Sequence, residues 1–243
     1  MTQPSSDHIV KSYDDELHRL TDEIGRMGEL ARTELASAIQ AVIERDSALA
    51  ERIVGSDAEV DRLEHDVGHD VVRLLALRQP MAGDLREVLA ALRISSDIER
   101  IGDYAANVAK RALALNQIER VQPVASLPRL GQVADRLLTD VLLAYRERDA
   151  DRALVVWARD EELDALYTSM FRELLTYMME DPRNITACTH LLFMAKNIER
   201  IGDHATNIAE NIYFIVHGSD MPQARPKGDV TASLVAGTDP HHF

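Results

Sequence analysis

The chain has 243 residues, with 27 Lys plus Arg against 41 Asp plus Glu and a formal net charge of −14; such a surface repels nucleic-acid phosphates and anionic headgroups alike, which argues against direct nucleic-acid binding. Apolar residues make up 46% of the sequence and aromatics only 5%, so the core must be packed from Leu, Ile, Val, Met and Ala, a composition that favours helices over sheets. The lone cysteine, Cys188, excludes an intrachain disulfide and suits a reducing compartment, and no apolar run approaches the roughly 18 residues of a membrane span, so a soluble cytoplasmic protein is expected.

Apolar side chains at Tyr13, Leu17, Leu20, Ile24, Met27, Ala31, Leu35, Ala38 and Val42 recur every three or four positions and predict a long amphipathic first helix. A second is predicted from about Ser47 to Leu77, interrupted at Gln79-Pro80, because proline disfavours helical geometry in the residue before it. A third runs from about Asp84 to Glu119, and Pro123 and Pro128 bracket a linker. The layout then returns: helices from about Arg129 to Arg146 and Ala150 to Glu180, a break at Asp181-Pro182, and a last helix to about His217.

The two halves repeat. Glu44-Arg45-Asp46 closes the first helix as Glu147-Arg148-Asp149 closes the fourth, and Asp57-Ala-Glu-Val-Asp61 matches Asp160-Glu-Glu-Leu-Asp164, both at an offset of 103. The segments 97–110 and 197–210 share nine of fourteen residues, including Glu-Arg-Ile-Gly-Asp. Three landmarks in the same order at nearly constant offset predict a duplicated all-α unit: one three-helix bundle over residues 8–121, a second over 122–218, and a disordered tail over 219–243.

Leu85, Leu92, Glu99 and Ala106 are spaced by seven and read as a core line of the third helix, with Glu99 on or beside it. Asp103 follows Glu99 by one helical turn, as Asp203 follows Glu199, so each pair projects along one side of its helix, beside a seam of small residues at Ser95, Gly102 and Ala106 or Ala195, Gly202 and Thr206. Asp57 and Asp61, and Asp160 and Asp164, offer a second acidic pair from the preceding helix, able to face the first. Converging carboxylates suit a cation or small cation cluster, with Mg, Mn, Ca, Fe and Zn all open. The competing reading is intrahelical ion pairing, since Arg100, Arg200 and Lys196 stand three residues before Asp103, Asp203 and Glu199. His65 and His69 are one turn apart, a spacing able to hold a transition metal, but without a counterpart in the second half they are expected to be solvated or at the core edge. His204 replaces Tyr104 of the first copy and is assigned no role; Trp157, Met178, Met179 and Met194 read as core filling.

The run Leu77-Arg78-Gln79-Pro80, Asp84-Leu85-Arg86 and Asp97-Ile-Glu-Arg-Ile-Gly-Asp resembles the first half of the PhoU family, and Asp181-Pro182-Arg183, Leu191-Leu192-Phe193 and the motif through Glu210 resemble its second half. The resemblance spans about Tyr13 to His217. It implies two antiparallel three-helix bundles, a homo-oligomer such as a dimer, and a negative regulator of the phosphate-starvation response that links a Pst-type phosphate transporter, through its ATPase PstB, to a PhoR-type sensor kinase. It further implies metal ligands at Glu99, Asp103, Glu199 and Asp203, faced by Asp57, Asp61, Asp160 and Asp164, with Asn197 in place of Asp97 making the two sites differ in charge. No nucleophile with a base partner and no glycine-rich phosphate loop is present, so a non-catalytic role is expected. The alternative is a carboxylate-bridged metalloenzyme or metal-storage bundle, from which the chain departs in lacking Glu-x-x-His pairs.

Overall fold

In the computed structural model the described backbone covers residues 6–119 and 121–222, and the described side chains leave out residues 6–14 and Asp57 as well. Six long helices account for almost all of it: α1 (Ser6–Glu44), α2 (Ser47–Arg78), α3 (Ala82–Leu115), α4 (Leu127–Glu147), α5 (Ala150–Glu180) and α6 (Ile185–His217). Among the described residues no helix is long and apolar enough to cross a membrane. The expectation for the tail falls mostly on residues 223–243, which lie outside the described residues.

The Glu-Arg-Asp landmarks are two-residue corners with one physical design. The chain ends α1 at Arg45 with φ 57° and α4 at Arg148 with φ 53°, both in the left-handed region. The next amide reaches back five residues, Asp46 N to Ala41 O at 3.0 Å and Asp149 N to Ala144 O at 2.9 Å, which satisfies carbonyls the helix end would otherwise orphan. The same aspartates then start the next helix, since Asp46 accepts from Leu49 N and Asp149 from Arg152 N, each at 2.9 Å. Asp46→Ala and Asp149→Ala should each cost about 1 kcal/mol, read as equal losses in urea unfolding. Arginine rather than glycine occupies the left-handed position because its side chain is used: Arg45 donates to the carbonyls of Asn116 and Ile118 at 2.6 and 2.7 Å, tying this corner to the end of α3, and Arg148 bonds Glu87 near its start.

Within each half the three helices pack on one another, and the halves join through α3 against α6 and α1 against α4. Arg111 over the Phe193 ring at 4.1 Å, Asp97 beside His204 and Arg86 against Gly218 show that α3 and α6 run antiparallel. The α1–α4 contact is reciprocal. A Cβ on Gly28 would stand 2.2 Å from Leu142 Cδ2, and one on Gly131 would stand 2.0 Å from Ile39 Cδ1. Gly28 and Gly131 are 103 positions apart, as are Ile39 and Leu142, so each helix offers a notch and a knob related by the internal repeat. One continuous apolar cluster therefore runs through all six helices.

Four expectations are corrected. α3 stops at Leu115 instead of reaching Glu119, because the next residues turn to meet Arg45. The proline linker is a 3-10 turn over Gln122–Ser126 with Pro123 and Val124 buried, since an apolar flank was available to cover the core end. The Leu85–Leu92 line on α3 is substantially exposed; Val88, Ala91, Ser95 and Ile98 take the core instead, so Glu99 sits at the core edge. Met179 does not fill the core and is 85% exposed at the end of α5.

Candidate functional site

The paired carboxylates occupy equivalent places in the two halves but very different surroundings. In the second half, α5 and α6 bury Asp160, Asp164 and Glu199 to 1%, 4% and 4% exposure. Gly202 makes this possible: a Cβ there would lie 2.7 Å from Asp160 Oδ1 and 2.4 Å from Leu163 Cδ2, so α6 must be bare at this turn for Asp160 to enter. Lys196 Nζ donates to Glu199 Oε1 at 2.8 Å and also lies 4.9 Å from the Tyr167 ring centre, whereas Glu199 Oε2 is buried with no hydrogen-bond partner. Burial is the main cause that pushes the Glu199 carboxyl up to about 7; the Lys196 bond opposes it, and Asp203 and Asp164 add repulsion.

In the first half the same motif is open. The Glu99 side chain is 23% and that of Asp103 35% exposed, and Arg100 lies against both, at 3.4 and 3.1 Å. Burial, with Asp103, Asp61 and Glu64 nearby, still holds the Glu99 carboxyl above its ordinary range, and Arg100 opposes the shift. Asp61 on α2 thus faces Glu99 on α3 as the sequence suggested, although it is exposed, and Glu64 on the same helix adds its charge. The Asp57 side chain lies outside the described residues. Both ion pairs of the competing reading that involve Arg100 and Lys196 are present; they partly neutralise the sites without satisfying Glu199 Oε2.

Asp97 plays a different part from the one expected. Its Oδ1 meets His204 Nδ1 at 2.7 Å and Asn207 Nδ2 at 3.2 Å, both on α6. Its charge therefore lies in the α3–α6 contact, and the two carboxylate sites differ through burial. His204, assigned no role from the sequence, is the partner, and its ring also lies 5.6 Å from Tyr104. The signal was present: two of the five departures from repeat identity, Asp97 in place of Asn and His204 in place of Tyr, meet each other across the α3–α6 contact. His204→Ala should cost about 1–2 kcal/mol by leaving a part-buried carboxylate short of a donor; Asp97→Ala combined with it should add little more, a coupling that a double-mutant cycle in urea reads directly.

Among the described residues no group of three or more His, Cys, Asp or Glu side chains is arranged to hold a metal ion. The donor set of the second half nevertheless fits a cation of oxygen-ligand preference: three buried carboxylates, one ammonium beside them, and an oxygen with no partner.

Six helices in two matching sets, with the same Glu-Arg-Ile-Gly-Asp acidic pair on the third helix of each, define a tandem-repeat helical-bundle protein. The family model for the PhoU domain matches it twice, over residues 24–112 and 127–212, and the chain belongs to the PhoU family. It is 58% identical over 227 residues, 93% of this chain and 96% of the relative, to the phosphate-specific transport system accessory protein PhoU homolog of Xylella fastidiosa strain 9a5c. Among solved structures it is similar to PhoU from Pseudomonas aeruginosa, with TM-score 0.82, 36% identity and coverage of 85% of this chain and 100% of that one. It is also similar to the phosphate transport system regulatory protein PhoU from Streptococcus pneumoniae, with TM-score 0.81, 28% identity and coverage of 87% and 100%. These relatives are named as accessory and regulatory proteins, not as enzymes.

Proposed function

We propose that this protein is a cytoplasmic, non-catalytic regulator that keeps the phosphate-starvation response off when phosphate is plentiful, by coupling the PstB ATPase of a Pst-type transporter to a PhoR-type sensor kinase. The observation that carries this reading is nearly full-length similarity, over both repeats, to accessory proteins of phosphate-specific transport. Support for docking to other proteins comes from apolar side chains left exposed at the loop end of each helix pair: Leu77, Met81 and Leu89 in the first half, Met179, Ile185 and Phe193 in the second. The net charge of −14 speaks against acting directly on nucleic acid.

The carboxylate sites at Asp57, Asp61, Glu99 and Asp103, and at Asp160, Asp164, Glu199 and Asp203, are proposed to bind Fe, Zn, Mn or Mg. A bound cation would supply the positive charge that offsets carboxylate repulsion and clamp α5 to α6, and α2 to α3. The chain's own residues do the rest: Lys196 holds Glu199 Oε1 while Oε2 stays buried without a hydrogen-bond partner, and Gly202 admits Asp160.

The test is a pull-down of PstB and PhoR from phosphate-replete cells by the tagged protein, paired with a phosphate-starvation reporter in cells lacking it. Capture of both partners and a reporter that stays on regardless of phosphate are expected. Capture of neither, with normal reporter control, would overturn the assignment.

A further inference from the structure

We infer that His65 and His69 form a surface chelate for a late first-row divalent ion such as Ni2+, Cu2+ or Zn2+, distinct in its ligands and chemistry from the carboxylate sites. The two rings stand one turn apart on α2, both exposed. Their Nε2 atoms converge to 3.1 Å, and the rings meet edge to face with centroids 4.6 Å apart and an interplanar angle of 87°. A metal bound by two imidazoles at about 2.0–2.1 Å holds their nitrogens about 2.9–3.4 Å apart for ligand angles between square and tetrahedral, so the observed separation already matches the bite of such an ion. Without a metal, only one proton can lie between the nitrogens, in a single N–H to N hydrogen bond that water replaces easily at an exposed position.

The surroundings favour a cation. Asp61 precedes His65 by one turn, and Asp66 and Asp70 flank the pair, with Arg62 bonded to Asp66 at 2.6 Å and Arg73 to Asp70 at 3.3 Å. Two imidazole nitrogens select borderline transition ions over Mg2+, Ca2+ or Mn2+, which prefer oxygen. Two protein ligands leave positions for water or for a donor from another molecule, so the ion would be exchangeable. At the offset of 103 the second half places Thr168 and Arg172 where His65 and His69 stand, so this chemistry belongs to the first repeat alone.

The test is Ni2+ titration calorimetry on the full chain carrying His241→Ala and His242→Ala, which removes the competing imidazole pair those adjacent histidines offer. The parent should bind one Ni2+ at a site that weakens at least about tenfold in His65→Ala and equally in His69→Ala, and that is unchanged in Glu99→Gln/Glu199→Gln. The Cu2+ electron paramagnetic resonance spectrum should show two nitrogen ligands in the parent. Unaltered Ni2+ affinity in either histidine variant, or loss of the site with the glutamates instead, would overturn the proposal. Both histidines are exposed, so the variants should fold as the parent does, and circular dichroism checks this.

Discussion

In metal-free protein at pH 8, Glu199→Gln should raise stability by about 3 kcal/mol, and at pH 5 the gain should shrink toward zero. Glu199 carries a proton more readily in the native state, where its carboxyl is pushed up to about 7, than in the unfolded chain near its ordinary value of 4.5. Between those values the native state binds more protons than the unfolded one, so stability falls as pH rises through the window and stays low above it. Below about 4.5 the acid is protonated in both states and nothing is lost. Glutamine is neutral throughout, keeps an oxygen for Lys196, and removes the negative charge that Asp203 and Asp164 repel. Urea unfolding at the two pH values measures the difference. Equal effects at pH 5 and pH 8 would show that the carboxylate is not penalised by burial.

The second large effect is steric. Gly131→Val should destabilise the protein by about 3 kcal/mol, because its Cβ would enter the Ile39 side chain, and Ile39 is itself packed in the α1–α4 contact. Gly131→Ala would recover roughly 1 kcal/mol through helix propensity and should therefore cost less. Combining Gly131→Val with Ile39→Ala relieves the clash, so the pair should lose about 1–3 kcal/mol less than the sum of the single losses. Additive losses would mean that α1 and α4 do not meet at this notch. Since Gly28 and Leu142 form the related notch, Gly28→Val should behave in the same way.

Much of this fold was legible because repetition marks it twice. The Glu-Arg-Asp corners, the acidic pairs and the Glu-Arg-Ile-Gly-Asp helices each occur in both halves, and each landmark falls at an equivalent place in the architecture. The notch at Gly28 and Gly131 obeys the same offset but was not legible, since a glycine in a helix does not announce which side chain fills it. The depth of the two carboxylate sites was likewise hidden. Identical motifs give an Arg100-capped, open pair at Glu99 and a buried one at Glu199, because burial depends on how α2 lies on α3 and α5 on α6, which no local spacing encodes. Leu85 and Leu92 show the same limit: a heptad line one step from the core reads like the core itself. His204 was missed for another reason, since its partner Asp97 lies in the other repeat.

The proposal that one duplicated motif forms two unequal cation sites is tested most directly by competitive metal titration followed by elemental analysis. For Mn2+ or Fe2+ added to the metal-free protein, two phases are predicted. The tighter, tied to Asp160, Asp164 and Glu199, should release about one proton near pH 6.5 and vanish in Glu199→Gln; the weaker should vanish in Glu99→Gln. Metal bound by the double variant as by the parent would contradict the claim.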